Sequence, residues 1–303
     1  MNHIPAGVSI PTGIPEDGDR KEPTAGSSRL VAIWALYALT VRQHLHGRRW
    51  LVMALLFSLP VGLTILLRAT AHDLPPMVLE FVIAFMLIPQ ALLPIVALAY
   101  AAGIIRDEQE EQTLTYLLIR PIPRWAIYTV KLLSTLTTTV ALTTVFTALT
   151  FVALSAGSGR ALDDVSLRCL KTIALHDLAV VAYCCLFGLI SLFTSRTLIV
   201  GIVYTILFEG LVANLDFSIR LITVIYYCRT IAYQTMQFKV TEHERTEDLA
   251  AEAWQIDPKT VSAMMSIQTC ITVLVVASLV FAAIGSMLCA RREFHVKTPE
   301  TGS

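Results

Sequence analysis

Four ionisable side chains interrupt segments that are otherwise apolar: Glu80, His176, Asp177 and Glu209. A charge in hydrocarbon is expensive, so such groups either pair inside the protein or face a cavity that admits a proton, an ion or a polar cargo. Thr135, Thr139, Thr143, Thr147 and Thr150 recur at three- to four-residue spacing, which puts their hydroxyls on one helical face. Close helix packing and a polar path are the two chemistries such a stripe can serve. Glu209, Asp177, Thr139 and Thr143 are therefore the candidates for a translocation path, with packing and headgroup-level placement as the competing readings. No catalytic set accompanies them. The chain lacks H-E-x-x-H, Glu110-Glu111 is followed by Thr115 where an E-E-x-x-x-R site needs arginine, and no two histidines share a face within a span. Six cysteines without C-x-x-C spacing read as buried thiols rather than a metal or redox site. A Cys169–Cys228 disulfide stays open at this level. The expectation is no catalytic, cofactor-binding or metal-ligating residue in this chain, and hence no enzyme.

A second group of polar residues lies between two apolar runs, at 106–125. Asp107 to Glu111 supply acids and an amide, Thr113 is a candidate N-cap, and Leu114 to Ile119 form a short apolar run. Pro121 and Pro123 end the unit, because proline cannot continue a helix and disfavours helix in its predecessor. A short amphipathic helix held between two spans is suited to being pushed by another protein. The alternative is a solvated acidic turn that merely ends the preceding span.

These groups need elements to hold them, and the composition names the kind. Of 303 residues, 55% are hydrophobic and 15% charged, and the mean hydropathy is +0.66, which sets the chain apart from soluble domains. A formal net charge of zero argues against a nucleic-acid binder. Six segments are long and apolar enough to cross about 30 Å of hydrocarbon: Trp50–Leu67, Met77–Ile105, Trp125–Ala156, Thr172–Thr194, Leu198–Leu215 and Ala263–Ala290. The second is over-long and carries Pro89 and Pro94, so a kink, a tilt or an extension beyond the bilayer is expected. The stretch 221–238 is apolar and aromatic but contains Arg229, with Arg220 just before it; a re-entrant or interfacial helix pair fits it better than a seventh span.

The expected fold is all-α and polytopic, with 29–292 as the membrane domain. Residues 1–28, broken by prolines and glycines, form a disordered tail, and 293–303 a second tail. Residues 29–49 place Leu30, Ile33, Trp34, Tyr37, Val41 and Leu45 at helical spacing beside basic residues, as an interfacial helix would. A simple extension of the first span is the other reading. Lys and Arg set the orientation: with both termini inside, fourteen of the 23 are cytoplasmic, and five of the other nine sit in the long loop 216–262. The segment 106–125 then faces the cytoplasm, and 216–262 is an outer loop.

With these residues in view, a family pattern is visible. The stretch from Gly103 through Glu108, Glu110, Thr113, Leu114, Leu117, Leu118, Pro121, Arg124 and Lys131 resembles the cytoplasmic loop of type 2 ABC transporter permeases. Their pattern runs roughly E-x-E-x-G-T-L-x-x-L-L-x-x-P-x-x-R, followed by glycine-lysine at the start of the third span. Gln112 stands where glycine is usual, and Val130 precedes Lys131 where a second glycine is usual. The resemblance implies that 106–125 is a coupling loop whose helix seats in a groove of a separate ATP-binding subunit. Glu108, Glu110, Thr113, Leu114, Leu117, Leu118 and Arg124 are then the ATPase-docking residues. It implies export driven by ATP-Mg bound in that partner, since this chain has no G-x-x-x-x-G-K-[ST] and no glycine followed by lysine. It also implies a second permease copy or a sister permease, a multi-pass place in the cell (inner) membrane, and contact with lipid. A non-transporting membrane anchor or regulator of an ATPase complex is the alternative. The substrate is not written in these residues.

Overall fold

The structure, a computed structural model, describes residues 25–46, 48–70, 74–104, 123–156, 160–194, 196–214, 218–242, 245–256 and 265–291. Among them the fold is a helical bundle with six helices long and apolar enough to cross a membrane. Helix α1 (Ala25–His46) precedes the first of these, α2 (Arg48–Thr70). Then come α3 (Pro76–Ala101), α4 (Arg124–Ser155), α5 (Leu162–Phe193) and α6 (Thr197–Asn214). A short helix α7 (Val224–Thr235), a hairpin of β1 (Lys239–Glu242) and β2 (Arg245–Asp248), and α8 (Leu249–Ala253) lead to the last span, α9 (Ile267–Arg291).

Five of the six spans coincide closely with the apolar runs of the sequence. The fourth differs, because α5 begins at Leu162, ten residues before Thr172. Asp163 and Asp164 lie in its first turn, where carboxylates favour the positive end of the helix dipole. The charges that read as loop are helix-starting residues. Helix α7 has 12 residues, about 18 Å at 1.5 Å per residue, too short to cross the bilayer. The sequence gave no warning of the small antiparallel hairpin behind it, which pairs Lys239 with Asp248 through Glu242 with Arg245.

Helices α3 and α5 are the centre of the bundle. Buried residues make up 67% and 56% of their apolar windows, against 22% for α2, α6 and α9. Helix α5 packs against α4, α9 and α3, while α1 and α2 lie along α4. Tyr37 of α1 donates to Thr137 at 3.0 Å and His44 meets the Tyr100 ring edge-on at 5.3 Å, so α1 is docked on the bundle rather than merely prolonging α2. Close approach at the centre uses glycine. A Cβ on Gly285 of α9 would lie 2.7 Å from Cε1 of the fully buried Tyr128 on α4, and one on Gly188 of α5 would lie 3.2 Å from its hydroxyl.

The second span is unusual in backbone form. Phe81–Leu92 is π-helical, flanked by α-helical turns, and contains Pro89. In a π-helix each amide reaches the carbonyl five residues back, so the missing Pro89 amide leaves the Ala84 carbonyl unpaired. His176 of α5 fills that vacancy with Nε2 2.9 Å from the Ala84 oxygen. The expected kink at Pro89 is thus a π-helical segment, closed by a side chain from the neighbouring helix.

Polar groups inside the bundle as the candidate functional site

At one end of the bundle the chain leaves α3 and returns through Pro123, whose extended backbone precedes the first residue of α4. The ammonium of Lys131, buried on α4, donates to the Ile104 carbonyl at 3.1 Å. It caps the outgoing end of the second span from the ingoing start of the third. Six of the docking residues (Glu108, Glu110, Thr113, Leu114, Leu117 and Leu118) lie outside the described residues, and so does the side chain of Arg124.

The threonine stripe of α4 faces inward. Thr135, Thr139, Thr143, Thr147 and Thr150 are all buried. Thr139 and Thr150 bond back to carbonyls one turn earlier, and Thr139 also meets Cys184 Sγ of α5 at 3.5 Å. Thr147 bonds His176 Nδ1 at 3.0 Å. Since Nε2 must donate to the Ala84 carbonyl, Nδ1 of the neutral ring accepts from the threonine hydroxyl. Three helices are joined through one imidazole. Asp177, next in sequence, points elsewhere: Thr144 donates to its Oδ2 at 3.0 Å, its Oδ1 has no partner, and the residue remains partly exposed.

Glu209 is fully buried at the π-helical end of α6. Its carboxylate accepts the first two amides of α7, Val224 N at 3.1 Å and Ile225 N at 2.9 Å, and the Tyr204 hydroxyl at 3.2 Å. A carboxylate at a helix N-terminus satisfies orphan amides and the helix dipole together. The service is returned. Arg229 of α7 donates to Asn214 Oδ1 at 2.9 Å and to the Ala213 carbonyl at 3.5 Å, capping the last turn of α6. Burial draws the Arg229 guanidinium down from its ordinary value, and the Glu209 carboxylate pushes it back up. Tyr204 and Arg229 are the partners that sequence reading missed. The available signal was two opposite charges, Glu209 and Arg229, each stranded in an apolar run.

The candidates for a translocation path thus part company. Thr139, Thr143 and Glu209 sit inside the protomer's own packing, and Asp177 alone keeps partial exposure and an open oxygen. All six cysteines are free thiols, so Cys169 and Cys228 are not bridged. Among the described residues no group of histidine, cysteine and carboxylate side chains could hold a metal.

The family model for the ABC-2 family transporter proteins matches residues 45–212, more than half of the chain. The chain belongs to this family. The match runs from the end of α1 to the 3-10 turn that ends α6, and so takes in five of the six spans, the connection 105–122 and Glu209. No curated protein matches the permease in sequence. As a member of this family it is a multi-pass membrane protein and the permease component of an ABC transporter.

Proposed function

We propose that this permease is the membrane half of an ATP-driven exporter in the cell (inner) membrane, with both termini cytoplasmic. A separate ATP-binding subunit supplies ATP-Mg, and a second permease copy or a sister permease completes the membrane pore. Residues 106–125 form the coupling loop. Leu114, Leu117 and Leu118 seat in the ATPase groove, Thr113 caps the docking helix, and Glu108, Glu110 and Arg124 frame it with charge. The observation that carries this reading is the family match, which includes that loop and the two spans it joins. The Lys131–Ile104 bond supports it, because a push on the loop reaches α3 and α4 together. Cargo passes on the side of Asp177, whose open carboxylate oxygen offers an acceptor to a donor-bearing substrate.

The test is purification of the tagged permease from its native membrane, with partners identified by mass spectrometry. Wild type should bring down a soluble ATPase carrying a Walker motif. Leu117→Asp with Leu118→Asp should lose it while remaining inserted, since two carboxylates in an apolar groove lack partners there. Retention of the ATPase by that double variant would overturn the docking assignment.

A further inference from the structure

At the end of the bundle opposite residues 105–122, Glu80 is only 1% exposed yet charged, and two guanidiniums close on it. Arg160 Nη1 lies 2.6 Å from Oε2 and Arg168 Nε lies 2.8 Å from Oε1. Two cations on one carboxylate leave a surplus positive charge. Both arginines also spend an N–H on Met77 Sδ, at 3.6 and 3.4 Å, although a thioether is a weak acceptor. A third guanidinium, from Arg68, reaches the Leu154 carbonyl. Asp163 and Asp164 are exposed on the first turn of α5 and are the nearest acids in the chain.

These groups line a crevice of about 220 Å³ that is open on one side and walled by Phe151, Leu154 and Val165. Its depth is set by three chain features. Helix α3 starts at Pro76, α4 ends at Ser155, and the uninterrupted apolar run of α5 starts at Thr172. The cations therefore lie at headgroup level. Around them Leu162, Leu167 and Leu170 are 82%, 52% and 64% exposed, a surface suited to acyl chains.

We propose that this crevice binds the phosphate diester headgroup of an anionic phospholipid from the leaflet on that side. The phosphate oxygens replace Met77 Sδ as acceptors of the arginine forks, which match phosphate geometry. The lipid's chains run down the apolar surface between α4 and α5. Glu80 is the built-in competitor: it holds the two arginines in place and limits how tightly they grip a second anion.

The test uses the full-length permease in a neutral detergent, titrated with phosphatidylglycerol or with diacylglycerol, which lacks the phosphate, and read by native mass spectrometry. Phosphatidylglycerol should be retained and diacylglycerol should not. Arg168→Gln should lower retention several-fold, while Glu80→Gln should raise it, since it removes the competing carboxylate. A purely structural role for the cluster predicts no such gain. Val165→Trp, which fills the crevice and leaves every charge in place, should lose the lipid even if Glu80→Gln is not monodisperse. Equal retention of the two lipids, or undiminished retention by Val165→Trp, overturns the proposal. Complete displacement by millimolar inorganic phosphate would reassign the crevice to a soluble phosphate ligand and overturn the lipid.

Discussion

Replacing Glu209 with alanine should release α7 from the bundle without unfolding the protein. The carboxylate is the acceptor for two buried amides at 3.1 and 2.9 Å and for one tyrosine hydroxyl. A buried donor left unpaired costs ~1–3 kcal/mol, so the two amides together put ~2–6 kcal/mol at stake. Tyr204 is partly exposed and can turn to another partner, so it adds little. Arg229 would also lose the counter-charge that offsets its burial. Taking ~3 kcal/mol, the population with α7 displaced rises about a hundredfold, because each 1.4 kcal/mol is tenfold. Glu209→Gln keeps one acceptor oxygen but aims an amide donor at the second site, so roughly a tenfold rise is expected. Cys228 reports the motion, being 3% exposed in the docked helix. Its alkylation by N-ethylmaleimide, followed by peptide mass spectrometry in native membranes, should accelerate in the order wild type, Gln, Ala. Equal alkylation rates in all three would refute the capping argument.

Two further perturbations probe the packing between spans. Gly285→Ala should lower the detergent-solubilised melting temperature by the ~1–3 kcal/mol typical of overpacking, since the new Cβ meets the buried Tyr128 ring. A fluorescence-detected gel-filtration melt reads this, and an unchanged midpoint would mean that the two helices are not in contact there. His176→Ala should cost ~1–3 kcal/mol by leaving the Ala84 carbonyl without a donor, whereas Thr147→Val removes only the hydroxyl and should cost less. The same melt reverses the reasoning if Thr147→Val proves the more damaging of the two.

What the sequence made legible was set by contrast between apolar and charged runs. Spans flanked by clear polar breaks, such as Trp50–Thr70 and Ile267–Arg291, stand within a few residues of their expected bounds. The start of α5 was misjudged because Arg168 reads as a charge too costly for a span, and only the fold supplies Glu80, 88 residues away, as its counter-ion. Pro89 signalled a distortion but not its kind, since the π-helical form depends on His176 arriving from another helix. The hairpin at 239–248 gave little sign of itself. Its strands are short and heavily charged, and they are anchored by Phe238, whose ring packs against Phe81 and Phe85 at 5.0 and 4.9 Å. Glu209 was rightly conspicuous as a buried acid, but its partners are backbone amides, which carry no sequence signature.

The mutual capping of α6 and α7 constrains how the protein is made. As the chain emerges from the ribosome, α6 would enter the bilayer carrying an ionisable group that has as yet no partner. Arg229, about twenty residues later, would meet the same insertion penalty alone, about 2.5–3.5 kcal/mol on biological insertion scales. Each group becomes tolerable only when the other helix is present. The pair therefore behaves as one insertion unit, admitted to the membrane late and together. A nascent chain stalled between them would leave a lone acid in the bilayer for membrane quality control to recognise.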